Sequence, residues 1–165
     1  MSDDASQLAL FPASFDPVTN GHLDLVQRAL RVFPRLVVAV AHNVDKSGTF
    51  TVEQRLEMLR ASIGDLPGVE ITSFAVLAVD YAAEVGAKTV IRGLRATADF
   101  QYEFEMALMN RHMNPEVETL FLMTGQEHFY VSSSRLKELV SFGVDVSEWV
   151  PPLVEKYLRE KFHKT

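Results

Sequence analysis

Short, unbroken apolar runs alternate along this chain with stretches in which apolar residues recur three or four positions apart. Gln7–Phe11 and the valine-rich Arg35–Ala41 are of the first kind, and continuous apolar runs of that length read as parallel strands buried on both faces. Between them Leu23, Val26, Leu30 and Phe33 keep helical spacing, and Pro34 stops the helix. The unit is β-α-β. Thr51 with Gln54 resembles a capping box opening a helix that runs to Ile63, after which Leu66-Pro67-Gly68 turns the chain into a strand at Val69–Phe74. The alternation continues with a helix at Ala78–Val85 ended by Gly86, a strand at Thr89–Ile91, a long helix at Thr97–Met113 and a strand at Glu118–Met123. Helices at Ser132–Phe142 and Pro152–Phe162 close the chain.

Strands separated throughout by helices predict an α/β fold, because parallel neighbours need crossover connections. The expectation is a single doubly wound, Rossmann-like domain over residues 1–165, with a five-stranded parallel sheet, C-terminal helices and a flexible lead at 1–6. In such sheets ligands bind outside the carboxyl ends of the strands. The segments following the strands are Ser14–His22, His42–Lys46, Leu77–Asp80, Arg92–Arg95 and Thr124–Ser134. This topology turns His22, Lys46, Arg92, Arg95 and a triple serine toward one cleft.

Composition narrows what that cleft holds. With 165 residues, 47% of them hydrophobic, the chain has the size and apolar content of one domain with a core. Zero cysteines remove disulfides, thiolate metal sites and cysteine nucleophiles together. The acidic start Met-Ser-Asp-Asp has no signal-peptide character, and no apolar run approaches the roughly 20 residues that span a bilayer. A cytoplasmic protein without membrane contact is expected. Sixteen Lys and Arg against 22 Asp and Glu give a net charge of −6, which argues against nucleic acid as a partner. Small anions still bind where a few cations converge. The sequence contains neither GxxxxGK[ST] nor GxGxxG, so the two commonest phosphate loops are excluded.

The chemistry then falls on Phe15-Asp-Pro-Val-Thr-Asn-Gly-His22, which sets a histidine at a helix start directly after a strand. Helix N-terminal N–H groups lack intrahelical partners and the dipole there favours anions, so a phosphate is the natural guest. The same dipole disfavours imidazolium, so a neutral His22 donates one N–H to that guest. Pro17 and Gly21 shape the turn, Ser14 adds a hydroxyl, Asn20 is available to cap the helix, and Asp16 orients the turn. Ile91-Arg-Gly-Leu-Arg95 places two guanidinium groups around Gly93 on a turn, and their planar forks suit phosphate oxygens. Lys46 follows the second strand. One of Ser132, Ser133 and Ser134 caps a helix, leaving hydroxyls and N–H groups for a terminal phosphate. On the long helix Tyr102, Met106, Leu108 and Met109 read as core or subunit interface, and Met106 with Asn110 lies on one face. His42, His112, His128 and His163 show no ligand spacing, and no protein metal site is expected.

In order and spacing, Ser14-Phe-Asp-Pro-Val-Thr-Asn-Gly-His22, Ile91-Arg-Gly-Leu-Arg95, Asn110-Arg-His112 and Val131-Ser-Ser-Ser134 resemble the motifs of the bacterial phosphopantetheine adenylyltransferases. Thr19-Asn-Gly-His22 resembles the TxGH form of the nucleotidyltransferase HxGH motif. The resemblance implies transfer of AMP from ATP to 4′-phosphopantetheine, giving 3′-dephospho-coenzyme A and pyrophosphate, with Mg2+ held mainly by the ATP phosphates. It also implies a homohexamer built as a dimer of trimers, and feedback inhibition by coenzyme A. As catalytic residues it implies His22, Ser14, Lys46 and Arg95. It gives Ser14, Phe15, His22, Gly93, Arg95, Glu103, Ser132, Ser133 and Ser134 to ATP. To phosphopantetheine it gives Ser14, Lys46, Leu77, Ala78, Arg92, Met106 and Asn110. Three positions depart from the pattern: Ala13 stands where glycine is usual, Ala78 where a larger apolar residue is common, and His128 where tryptophan occurs. The alternatives are a related nucleotidyltransferase with a cytidylyl donor or a nicotinate mononucleotide acceptor, and a non-catalytic ATP-binding sensor on the same fold.

Overall fold

The computed structural model describes residues 8–42 and 47–162. The expected flexible lead, Gln7 and Lys46 lie outside the described residues. Strands β1 (Leu8–Ala13), β2 (Arg35–Ala41), β3 (Val69–Phe74), β4 (Thr89–Leu94) and β5 (Glu118–Met123) form one parallel sheet in the order β3-β2-β1-β4-β5. Helices α1 (Asn20–Ala29), α2 (Val52–Ile63), α3 (Ala78–Glu84) and α4 (Thr97–Met113) cross between successive strands. A 3-10 turn at Gln126–His128 precedes α5 (Ser133–Ser141) and α6 (Pro152–Phe162). The doubly wound sheet expected from the alternation is present.

Side-chain alternation along the strands divides the core in two. Ala9, Phe11, Leu36, Val38 and Val40 face a cluster completed by residues of α1, α2, α5 and α6. Leu8, Leu10, Val37 and Ala39 face a second cluster with Val79 and Ala82 of α3.

The chain winds outward from β1 to β3, then returns to the other side of β1 for β4, so the topological switch point lies between β1 and β4. There the ladder is short. Ala9 pairs with Thr89 and Leu10 with Val90, whereas β1 pairs with β2 along its whole length to Ala13↔Val40. The sheet therefore opens where ligands bind in such folds.

Two strands run further than their apolar runs suggest. β1 continues through Pro12 and Ala13, and β4 through Arg92, Gly93 and Leu94, which pair with Phe121, Leu122 and Met123. The expected arginine turn is thus strand up to Leu94, with Arg95 alone beyond it. Pro12 lacks a donor for a ladder. It is tolerated in this central strand because pairing to β4 has already ended at Leu10, and Arg92 Nη1 takes its carbonyl at 2.8 Å.

Candidate active site

The β1–α1 turn begins at Ser14. Phe15 adopts φ 46°, a left-handed conformation that a bulky residue reaches only when packing demands it. Its ring is buried, edge-on to Phe11 at 5.6 Å and to His22 at 5.0 Å. Any contact Phe15 makes with a ligand therefore comes from its backbone. Among the described residues it is the non-glycine position with positive φ, so Ala13 needs no glycine conformation.

Thr19, not Asn20, caps α1. Its Oγ1 accepts from His22 N at 3.3 Å, and its own backbone N–H donates to His22 Nδ1 at 3.0 Å, completing a capping box in which His22 takes the place of the usual Glu or Gln. Asn20 instead ties its amide to the Glu148 carbonyl. The Thr19 N–H can only donate, so Nδ1 is the acceptor and the neutral ring keeps its proton on Nε2. Burial, with Arg95 and Arg92 nearby, lowers the His22 pKa from 6.5 to about 4. The ring is neutral at pH 7, the state expected from the sequence, but burial and the two arginines rather than the helix dipole are the cause.

His22 lines a cleft of about 380 Å3 at the carboxyl ends of β1 and β4. Ser14, Arg92, Gly93, Arg95, Glu103, Ser132, Ser133 and Ser134 share it, so residues from four separate segments of the sequence meet. Leu77, Ala78, Met106 and Asn110 do not line it: Leu77 and Met106 are exposed, Ala78 is half-buried at the start of α3, and Asn110 is buried.

Both arginines are pinned. Arg92 gives Nε and Nη2 to Glu103 at 2.8 and 2.6 Å and Nη1 to the Pro12 carbonyl. Arg92 and Glu103, assigned by resemblance to different substrates, are thus bonded to each other. Arg95 gives Nε and Nη2 to Asp99 at 3.0 and 3.3 Å and Nη1 to the Val131 carbonyl at 3.3 Å. A guanidinium has five N–H bonds, so each keeps two for an anion, held on a plane whose orientation is already set.

The serines divide their work. Ser132 caps α5 by accepting from Arg135 N at 3.1 Å, and Ser133 Oγ donates to the Pro17 carbonyl at 2.7 Å. Helix geometry leaves the N–H groups of Ser133 and Ser134 without intrahelical partners, aimed as at any helix start toward an anion.

Asp16 turns away from this chemistry. Its carboxylate accepts from the backbone N–H groups of Thr49 and Phe50, each at 2.9 Å, with Lys137 Nζ at 3.2 Å and Arg55 Nε at 3.4 Å. Burial pushes its pKa up, but those two N–H groups, Arg55 and Lys137 together outweigh it and hold the carboxyl below its ordinary value. Arg55 and Lys137 carry no sequence signal, since each reads as an ordinary polar residue on an amphipathic helix.

A neutral histidine at a helix start, two oriented guanidinium groups and a second helix start around a switch-point cleft are a donor set able to hold phosphates without a P-loop. The cytidylyltransferase-like family model matches residues 10–139, which sets the chain among the nucleotidyltransferases. The phosphopantetheine adenylyltransferase of Desulfosudis oleivorans is 50% identical over 155 residues, covering 94% of this chain and 92% of that one. That of Staphylococcus carnosus is 48% identical over 156 residues, covering 94% and 97%. The chain belongs to the phosphopantetheine adenylyltransferase family. In fold it also matches a Vibrio parahaemolyticus protein provisionally assigned as a nicotinate-nucleotide adenylyltransferase, with a TM-score of 0.65 at 18% identity over 93% of this chain and 98% of that one.

Proposed function

We propose that this chain transfers the adenylyl group of ATP to 4′-phosphopantetheine, yielding 3′-dephospho-coenzyme A and pyrophosphate in coenzyme A biosynthesis. An acceptor phosphate oxygen forms the new bond to the α-phosphorus while the bond to the β-phosphate breaks and pyrophosphate leaves. The attacking oxygen is already anionic, so the protein needs no general base and no covalent intermediate. What it supplies is alignment and charge stabilisation. The observation that carries this reading is the locked His22 ring, whose proton stands on Nε2 at the cleft and suits the α-phosphate oxygens.

Around it the roles divide by position. Arg95 and the N–H groups of Ser133 and Ser134 suit the β- and γ-phosphates, and Ser14 lies beside the reacting pair. Arg92, turned by Glu103, suits the acceptor phosphate, with Glu103 also bordering the nucleotide. The pantetheine arm leaves the cleft toward Leu77, Ala78, Met106 and Asn110. Mg2+, when bound, would be held mainly by the ATP phosphates and would neutralise charge developing on them; among the described residues no group of three His, Asp or Glu side chains is placed to hold a metal ion. Coenzyme A, which shares the arm and the adenosine with the product, inhibits from the same cleft. The exposed apolar flanks of α4 support a homohexamer. Among the described residues no helix is long and apolar enough to cross a membrane; a reaction on ATP and phosphopantetheine suits the cytoplasm.

The test is direct. Purified protein with ATP, Mg2+ and 4′-phosphopantetheine should release pyrophosphate and dephospho-coenzyme A in equal amounts. ATP binding without turnover would instead leave a nucleotide sensor.

A further inference from the structure

Asp16 is the buried acid that the chemistry above leaves unused, and its bonds all run to parts of the chain distant in sequence. Thr49 and Phe50 lie 33 and 34 residues away, Lys137 lies 121 away, and the partners belong to the β2–α2 connection and to α5. Lys137 Nζ also donates to Thr49 Oγ1 at 3.1 Å, so one ammonium joins the two outer segments at the carboxylate. Arg55, buried beside them, donates to the Phe50 carbonyl at 2.9 Å and to the Ser14 carbonyl at 3.3 Å. The packing leaves no slack: a Cβ added at Gly48 would stand 1.5 Å from Arg55 Nη2 and 3.3 Å from Asp16 Oδ2. A single carboxylate thus closes a ring through the β1–α1 turn, the segment before α2 and the first turns of α5.

We infer that Asp16 is a positioning residue which, through Lys137, sets the start of α5 against the β1–α1 turn and so fixes the spacing between His22 and the Ser133–Ser134 donors. Those donors stand on the two walls that Asp16 joins, and the Ser133 hydroxyl bond to the Pro17 carbonyl crosses the same gap. On the acceptor side, Arg92 is fastened separately. Arg92 is held by Glu103 and Pro12, neither of which Asp16 touches. The consequence is selective: loosening Asp16 weakens the grip on the triphosphate and leaves Arg92, the guanidinium facing the acceptor phosphate, in place.

This inference rests on the proposed adenylyl transfer, so its test reads ATP binding as well as turnover. Calorimetric titration with ATP compares the wild-type chain with Asp16→Asn, Lys137→Met, Lys137→Arg and the double variant Asp16→Asn/Lys137→Met, each checked for a cooperative melt. Asp16→Asn and Lys137→Met should each weaken ATP binding roughly tenfold, within the reach of a displacement of about 1 Å, while the KM for 4′-phosphopantetheine stays within about twofold. The double variant should lose little more than either single one, and Lys137→Arg, which keeps a donor to Asp16, should bind ATP as the wild type does. A purely structural role would lower kcat through the folded fraction and leave ATP affinity unchanged, and that result overturns the inference. So does equal weakening toward both substrates. Should Asp16→Asn fail to fold, Lys137→Met alone decides, since Lys137 is partly exposed. Wild-type ATP binding without turnover would sink the proposed reaction and leave the positioning test readable.

Discussion

The proton on His22 is placed by a backbone donor, the Thr19 N–H at 3.0 Å from Nδ1, with the Thr19 hydroxyl also 3.1 Å from that nitrogen. Because the Thr19 N–H occupies Nδ1, the ring can present an N–H to the cleft without being charged, and with a pKa of about 4 it stays so across the physiological range. An NMR titration of the ring should show Nε2 protonated and Nδ1 bare at pH 7, with a midpoint below pH 5; a midpoint near 6.5 would contradict the burial argument. Stability follows the same shift. Between about 4 and 6.5 the unfolded chain takes up a proton that the folded ring refuses, so this contribution is complete above 6.5 and declines as pH falls toward 4, by about 3 kcal/mol at most. His22→Ala removes the donor and should lower kcat by roughly 10²–10³-fold, more than it weakens ATP binding. At this scale the sequence was readable where chemistry is local. His22 announces itself through its place at a helix start, but Asp16 acquires its partners only when α2 and α5 fold against the turn, and no periodicity marks them.

At the scale of elements, α1 carries the histidine and its capping box is part of the site. Thr19 Oγ1 satisfies the His22 N–H, so Thr19→Ala should cost about 1 kcal/mol, read as a lowered Tm, and Thr19→Ser should restore most of it. The backbone N–H of residue 19 survives both changes, so the His22 tautomer should too; its loss in Thr19→Ala would show that the hydroxyl, not the main chain, sets the ring. The order of strands and helices was legible because buried runs and helical spacing alternate cleanly. Strand ends were not. Pro12 and the Arg92-Gly93 pair look like breakers, yet both lie in strands, because the sheet parts between β1 and β4 and Arg92 fills the gap with its own hydrogen bond to Pro12. The irregularity that misleads the pattern is the one that opens the cleft.

For the whole molecule, α4 inverts the usual rule. Its inward residues Glu103 and Asn110 are polar and buried, while Tyr102, Met106, Met109 and Met113 along one flank and Phe100, Phe104 and Leu108 along the other are exposed. The inner face is polar because Glu103 has to reach Arg92 in the cleft, and the apolar residues are displaced to the flanks, where nothing in a single chain covers them. Soluble monomers rarely leave so large an apolar surface in water. In the proposed homohexamer, copies of the chain would cover this surface. The homohexamer proposed above would give six times the 18.5 kDa chain mass in sedimentation equilibrium. Met109→Glu, at a position 60% exposed in the single chain, should cost that chain little stability and yet shift the mass downward, because the carboxylate would have to be desolvated at the contact. A wild-type species at the mass of one chain would rule out assembly through α4.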